Sequence, residues 1–299
     1  MNATGTNEDS ANTQIYDSIA YALLSMGVLA AMQVVAVIGF IIWNEEPWLT
    51  YFNIQLIAMG FSMVGNFVFN GLLYLPAWSS GGTEPLTVFL WVNAAIFTNV
   101  PVITYMIFSY QRSLVILTSR QTLIRRTLWF IVSLQVVFDL VATAAELIEY
   151  CLFDVSTEAH ELLSLINTYG YTASYAILTA FDACLLFLFQ ARVRKTRMQG
   201  ESASMKLELI CRYGMASSLL CTASTVLYLA YSVGPTTPEI EWCFFGSIFV
   251  LYAVWSTQVG LKVSLMRENA AKRESSLRPG TLERKGFLSS IKDGAGVLL

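Results

Sequence analysis

The chain has 299 residues, of which 55% are apolar and only 13% are charged, whereas about 25% of the residues in an ordinary soluble domain are charged. A mean hydropathy of +0.56 means that the chain holds more apolar mass than one soluble core can bury, which excludes a water-soluble protein. The formal net charge of −3 argues against a nucleic-acid-binding surface, so we expect no nucleic-acid partner.

Apolar runs long enough to cross a bilayer recur along the chain. About twenty residues of helix cross a hydrocarbon core of about 30 Å, and a helix satisfies its backbone groups within one segment. The predicted spans are residues 18–43, 48–75, 86–111, 127–152, 162–190, 207–233 and 240–263. A short tail, 1–17, precedes them, and a basic tail, 266–299, that we expect to be disordered follows them. The sequence therefore predicts an all-α membrane protein in which residues 18–265 form one seven-helix bundle.

The Lys and Arg residues occupy three regions on one side of the predicted membrane. They cluster around the link between spans 3 and 4, around the link between spans 5 and 6, and from Lys262 to Lys292. The N-terminal tail and the links on the other side have none. Since positive charge in short loops stays in the cytoplasm, we predict an outer N-terminus and a cytoplasmic C-terminus. We expect a multi-pass plasma-membrane protein whose spans contact the lipid bilayer.

The N-terminal tail contains one glycosylation sequon. Asn2, Ala3 and Thr4 have the pattern of an acceptor site. Because the tail is predicted to lie outside the cell, we expect glycosylation at Asn2.

Asparagine side chains lie at similar predicted depth in spans 2 and 3. Asn70 is in the outer half of span 2, and Asn93 and Asn99 are in span 3. Asparagine within a span commonly forms hydrogen bonds between helices. These residues therefore fit either interhelical contacts or the wall of a ligand pocket.

Pro101 interrupts the backbone hydrogen bonding of span 3. It removes one donor and frees the carbonyl of Phe97, which Thr98 and Asn99 are close enough to satisfy. A structural kink, a hinge and the floor of a ligand site all fit this pattern.

Span 4 carries the most charge. Asp139 and Glu146 share a helical stripe with Gln135 and Thr143, and charge within a span is a hypothesis of a functional site. At 1.5 Å per residue from Arg126, Asp139 is about 20 Å deep and Glu146 about 30 Å, near the outer boundary. We predict an outward-opening cavity in which Glu146 attracts a cationic or hydrogen-bonding ligand. The alternative is a half-solvated Glu146 and an Asp139 that is protonated or hydrogen-bonded to a neighbouring helix.

Span 5 adds a polar stripe in its outer half and an acid deeper in the membrane. Asn167 and Tyr171 are one turn apart and join the predicted pocket. Asp182 lies about 15 Å from the inner surface, and Arg112 and Arg212 are the basic residues nearest that depth. We predict a switch in which Asp182 pairs with Arg112 or Arg212 and closes the cytoplasmic face.

Four residues of the sequence bear on enzymatic or cofactor chemistry. Asp139 and Asp182 invite comparison with intramembrane aspartyl proteases, but the glycine-flanked motif of those enzymes is missing. His160 is the only histidine and falls in an outer link, which disfavours zinc and serine hydrolases. Lys262 is the only candidate for a retinal Schiff base, and it falls at the cytoplasmic surface. We expect no enzymatic activity and no cofactor.

The cytoplasmic tail contains one candidate modification site. Lys272, Arg273, Glu274 and Ser275 resemble a site for a basophilic kinase. Phosphorylation of Ser275 would weaken the attraction of the tail to anionic lipid.

The layout as a whole resembles the G-protein-coupled receptor superfamily. The resemblance is in seven spans, an outer N-tail and basic second and third inner links, with Arg112 at the inner end of span 3. Spans 5 and 6 lack proline, and span 7 lacks an Asn-Pro-x-x-Tyr signature. The resemblance implies a receptor that binds a small-molecule ligand in its outer half and signals to a heterotrimeric G protein. A transporter or channel of the same topology is the alternative.

Overall fold

The computed structural model describes residues 5–43, 50–75, 85–114, 117, 121–151, 157–198, 205–234 and 237–276. Almost all of these residues belong to long helices. The helices are α1 (Gly5–Trp43), α2 (Tyr51–Leu73), α3 (Pro85–Leu114), α4 (Thr122–Cys151), α5 (Thr157–Met198), α6 (Met205–Val233) and α7 (Pro238–Ser276). Each is long and apolar enough to span a membrane, which confirms the prediction of an all-helical, polytopic membrane protein with seven candidate spans.

Several helices extend beyond the predicted spans. Helix α1 begins at Gly5, α5 runs from Thr157 to Met198, and α7 continues to Ser276. Hydropathy identifies only the part of a helix that lies in lipid, whereas backbone hydrogen bonding continues through polar residues in water. His160 consequently lies in the first turn of α5 rather than in a link. Asn2 and residues 277–299 lie outside the described residues, as does the side chain of Ser275.

The helices form a ring in chain order. Each helix packs against the next, and α7 closes the ring by packing against α1 and α2. Ring contacts show that consecutive helices alternate in direction: Tyr16 near the start of α1 stacks on Tyr74 at the end of α2, with centroids 5.9 Å apart. Tyr231 at the end of α6 likewise contacts Phe244 near the start of α7, at 5.1 Å. We call this end of the bundle the cavity end and the opposite one the basic end, because Arg112, Arg125 and Arg192 lie there.

Glycine permits close approach where three helices meet. A Cβ atom on Gly60 of α2 would lie 2.6 Å from the Trp255 side chain of α7 and 2.7 Å from Val34 of α1. The Trp255 indole also donates a hydrogen bond of 3.0 Å to the Leu56 carbonyl. The missing side chain at Gly60 therefore makes room for the tryptophan that links α7 to α2.

Large apolar side chains cover the outside of the bundle. The most exposed include Val28, Val35, Phe130, Val137, Leu140, Phe187, Leu219 and Val226. A contiguous exposed apolar surface is unfavourable in water but is the surface that lipid requires. This distribution supports contact of the bundle with a bilayer.

Aromatic side chains fill the interior between the cavity and the basic end. Tyr105, Phe181, Phe189 and Trp255 are fully buried. They come from α3, α5 and α7 and pack into one apolar core. The cavity end is therefore the open half of the bundle, and the rest is closely packed.

Candidate functional site

A cavity of about 660 Å³ opens among the helices at the cavity end. Its size falls within the range of about 300–1,000 Å³ that is typical of sites for small molecules. All seven helices contribute to its lining: Tyr16 (α1), Asn70 (α2), Trp91 and Asn99 (α3), Glu146 (α4), Asn167, Tyr171 and Tyr175 (α5), Tyr228 and Tyr231 (α6), and Glu241 and Phe244 (α7), with Tyr74 after the end of α2. A molecule in this cavity would contact the whole ring.

Glu146 stands on one wall at the end of a hydrogen-bond network that Tyr171 joins together. The Tyr171 hydroxyl donates to its Oε2 atom over 2.6 Å. The Asn99 amide in turn lies 2.7 Å from the Tyr171 oxygen and 2.9 Å from Thr143 Oγ1. The network joins α3, α4 and α5 and holds the carboxylate of a partly buried acid against the cavity.

A second tyrosine and glutamate pair stands on the wall formed by α7. The Tyr74 hydroxyl donates to Glu241 Oε2 over 3.0 Å. Burial raises the pKa of Tyr74 above its ordinary value, and the nearby Glu241 carboxylate raises it further. The phenol therefore stays protonated at physiological pH and remains a donor to Glu241.

The described lining of the cavity is acidic and aromatic. It includes Glu146 and Glu241 but no Lys, Arg or His. Seven Tyr or Trp side chains and Phe244 surround these two acids: Tyr16, Tyr74, Trp91, Tyr171, Tyr175, Tyr228 and Tyr231. Such a surface favours cations, through the carboxylates and through the negative faces of the rings.

The structure brings together four of the five predicted ligand-binding residues. Asn70, Glu146, Asn167 and Tyr171 line the cavity. Asn93 is not part of this lining, and its amide instead donates to the Phe89 carbonyl over 2.7 Å. The sequence predicts a similar depth in the membrane for Asn93 and the other four residues, but the Asn93 side chain points along a different face of α3.

Asp139 occupies a separate buried cluster one layer below. Its carboxylate accepts hydrogen bonds from Gln135 and from Ser174 of α5, the latter at 2.5 Å. All three residues are buried. This arrangement matches the predicted alternative in which Asp139 is hydrogen-bonded to a neighbouring helix.

Asp182 lies in a third cluster closer to the basic end. Tyr105 of α3 donates to the carboxylate at 3.0 Å, and the Ser218 hydroxyl of α6 lies 3.4 Å away. Within the described residues, Asp182 and Asp139 share no hydrogen bond.

The predicted ion pair of Asp182 with Arg112 or Arg212 is not formed in this structure. Arg212 is exposed on α6. Arg112 interacts with Asp182 electrostatically but without ion-pair contact, because Tyr105 holds the carboxylate two helical turns away along α3. The predicted pairing rests on depth alone. In the structure, Asp182 instead accepts a hydrogen bond from the hydroxyl of Tyr105.

Arg112 is buried among aromatic rings. The guanidinium carbon lies 5.2 Å from the centroid of Phe189 and 5.8 Å from that of Phe108. Its Nη2 atom lies 3.5 Å from Ser109 Oγ, and among the described residues Nε and Nη1 have no hydrogen-bond partner. The rings stabilise this buried cation, which forms no ion pair within the part of the chain that the structure describes.

Helix α3 is continuous through Pro101. Thr98 and Asn99 do not bond the Phe97 carbonyl as expected; they donate to Ala94 and Ala95, at 2.8 and 2.9 Å. Both side chains therefore bond carbonyls one turn earlier in the helix. Pro101 itself is buried and does not line the cavity.

Sequence reasoning missed Glu241 and most of the aromatic lining. Glu241 is the second residue of the predicted span 7, where an acid reads as interfacial, and Tyr74 falls at the end of span 2. The available signal was that an acid and several tyrosines recur at span ends on the same predicted side.

Comparison of the chain with protein-family models, curated proteins and solved structures gave no match.

Proposed function

We propose that this membrane protein is receptor-like: it binds a small-molecule ligand in the cavity and signals at the basic end, to a heterotrimeric G protein. The observation that carries the proposal is the cavity of about 660 Å³, which all seven helices line and which ends above a closely packed interior. A pocket that is closed toward the basic end suits ligand recognition better than passage of a solute.

Polar contacts connect the cavity wall to deeper layers of the bundle. Glu146 bonds Tyr171, Tyr171 bonds Asn99, and Thr143 donates to the backbone carbonyl of Asp139 over 2.7 Å. A ligand that competes for Glu146 therefore changes contacts on α3, α4 and α5 together. Such a shared set of contacts allows ligand binding to bias the packing of three helices.

The basic end offers a surface for a cytoplasmic partner. Arg125, Arg192, Arg194 and Lys195 lie at the ends of α4 and α5 there. Under the predicted topology this end faces the cytoplasm at the plasma membrane, where clustered positive charge attracts acidic protein surfaces.

Basal signalling tests the proposal without knowledge of the ligand. The full chain is expressed in cells with a panel of Gα subunits, and G-protein dissociation is followed by energy transfer. We expect at least one Gα subunit to be activated above the level of untransfected cells. The combined change Arg192→Gln, Arg194→Gln and Lys195→Gln should lower this signal about 10-fold, since three charges of the docking surface are removed.

A matched variant separates charge from side-chain identity. Arg192→Lys, Arg194→Lys and Lys195→Arg preserve the charges and should keep the signal, at equal surface expression. Ion or solute flux without activation of any Gα subunit overturns the proposal in favour of a transporter or channel.

A further inference from the structure

We propose that the ligand is an organic dication, a molecule with an ammonium group at each end of an aliphatic chain, held between Glu146 and Glu241. This inference rests on the proposed function only in taking the cavity as the ligand site. It assigns to the cavity a ligand class and a binding direction, from one wall to the other.

The charge of the cavity selects for cations. Glu146 and Glu241 face it, and its described lining supplies no Lys, Arg or His to neutralise them. Charges removed from bulk water interact strongly with a counterion because the surrounding dielectric is low. An anionic ligand would meet two carboxylates, and a neutral ligand would leave both of them without a counterion.

The two acids occupy opposite walls. Glu146 belongs to α4 and Glu241 to α7, and the ring places three helices between these two on one side and two helices on the other. Tyr231 lies within electrostatic reach of both carboxylates. A ligand with two ammonium groups can place one of them at each wall.

Each carboxylate is held in the same way and keeps one oxygen for a ligand. Tyr171 binds Oε2 of Glu146, and Tyr74 binds Oε2 of Glu241. Within the described residues, the Oε1 atom of each acid has no hydrogen-bond partner. The tyrosines orient the two acids, and the remaining oxygens are free to accept from an ammonium group.

A row of aromatic rings links the two pairs. Starting from Tyr171, the ring centroids follow at 6.5 Å to Tyr228, 6.3 Å to Tyr231 and 5.1 Å to Phe244. Phe244 also contacts Phe245 at 5.2 Å, and Phe245 contacts Tyr74 at 4.9 Å, but Phe245 is fully buried and does not line the cavity. Rings bury methylene groups well and attract ammonium groups to their faces. The rings that line the cavity therefore suit the aliphatic chain of a diamine between its two charged ends.

Binding of defined amines to the full chain tests the inference. The purified protein is placed in lipid nanodiscs and titrated calorimetrically with α,ω-diamines from diaminobutane to diaminodecane. Octylamine, with one charge, and octanediol, with none, serve as matched probes. We expect the best diamine to bind at least about 10-fold more tightly than octylamine, because it forms a second ion pair, and octanediol to show no binding.

Variants locate the two ends of the ligand. Glu146→Gln and Glu241→Gln should each weaken binding of the best diamine about 10- to 100-fold. In at least one of the two variants, the affinity for octylamine should change less than the affinity for the diamine. Glu149→Gln is the control, because Glu149 pairs with His160 at 3.3 Å and is not part of the lining. It should change the affinity by less than about twofold.

The wild-type comparison decides the question even if a variant fails to fold. Equal affinity for diamines and octylamine, or no binding of either, overturns the inference. Activation of a G protein by a non-amine at the same cavity would then leave the proposed function standing. Tight diamine binding without activation of any Gα subunit would instead uphold the ligand class and overturn the receptor proposal.

Discussion

Three acids within the bundle are held by hydroxyl groups of other residues. Tyr171 donates a hydrogen bond to Glu146, Ser174 donates one to Asp139, and Tyr105 donates one to Asp182. A buried acid without such donors would lose its hydration with nothing in return. The hydroxyl groups also come from neighbouring helices, so each acid contributes to the specificity of helix packing.

Tyr105→Phe is expected to destabilise the protein. The change removes the tyrosine donor to the fully buried Asp182 and leaves the longer contact with Ser218 and the thiol of Cys221. We expect the free energy of unfolding to fall by about 1–3 kcal/mol, measured by denaturant titration in detergent micelles.

Tyr110→Phe on the same helix controls for loss of a hydroxyl group. Tyr110 packs against Trp129 with centroids 5.2 Å apart, and its hydroxyl bonds no described residue. Its stability should match that of the wild type. An equal loss in both variants would show that the Tyr105 to Asp182 bond does not contribute.

The depth of polar residues in the membrane could be predicted from the sequence, but the direction in which their side chains point around the helix could not. Asp182 and Arg112 were placed at neighbouring depths, yet Tyr105 rather than Arg112 bonds the acid. The rotation of each helix depends on packing with its neighbours, and a single chain of letters does not contain that angle. Residues that share both depth and an inward stripe, such as Glu146 and Tyr171, could be predicted.

At the scale of helices, a close contact between α4 and α5 depends on a missing side chain. A Cβ atom on Gly170 would lie 2.8 Å from the Cβ atom of Ala142 and 3.4 Å from its Cα. Neither atom can move without the backbone of α4. The residue precedes Tyr171, so this contact also positions the tyrosine that bonds Glu146.

Gly170→Ala is therefore expected to destabilise the protein although alanine favours helix. The added methyl group forces α4 and α5 apart, at a cost of about 1–3 kcal/mol, which exceeds the gain of about 1 kcal/mol in helix propensity. The midpoint of thermal unfolding in detergent should fall.

Gly39→Ala is the matched change without a steric conflict. A Cβ atom at Gly39 of α1 meets no atom within 4 Å, so its unfolding midpoint should stay the same or rise. A rise in both variants would contradict close packing at Gly170.

The helices themselves were the most predictable elements. Lipid imposes a length and an apolar composition on every span, and all seven centres were recovered from hydropathy. Their ends were not, because α5 and α7 continue as helix through charged residues. The same loss of contrast at span ends concealed Glu241 and Tyr74, which lie where a polar residue needs no special explanation.

At the scale of the whole molecule, the Lys and Arg side chains that the structure describes lie at one end. Arg112, Arg125, Arg192 and Lys262 lie at the basic end, opposite the cavity. Positive charge near short loops stays in the cytoplasm. The cavity is therefore expected to open to the outside of the cell.

Access to terminal epitopes tests this orientation. A tag at the N-terminus should be labelled in intact cells, and a tag after Leu299 only after permeabilisation. Asn2→Gln should also remove a glycosidase-sensitive shift in electrophoretic mobility. Labelling of the C-terminal tag in intact cells would reverse the predicted topology.

Helix α5 has a mechanical consequence. It carries Tyr171 beside the cavity and ends at Met198, so about 40 Å of continuous rod separates the two at 1.5 Å per residue. A rigid rod that pivots beside the cavity moves most at its far end. A tilt of about 5° around Tyr171 displaces its tip by about 3.5 Å. Under the proposed function, such a tilt would carry an adjustment around Glu146 to the basic end.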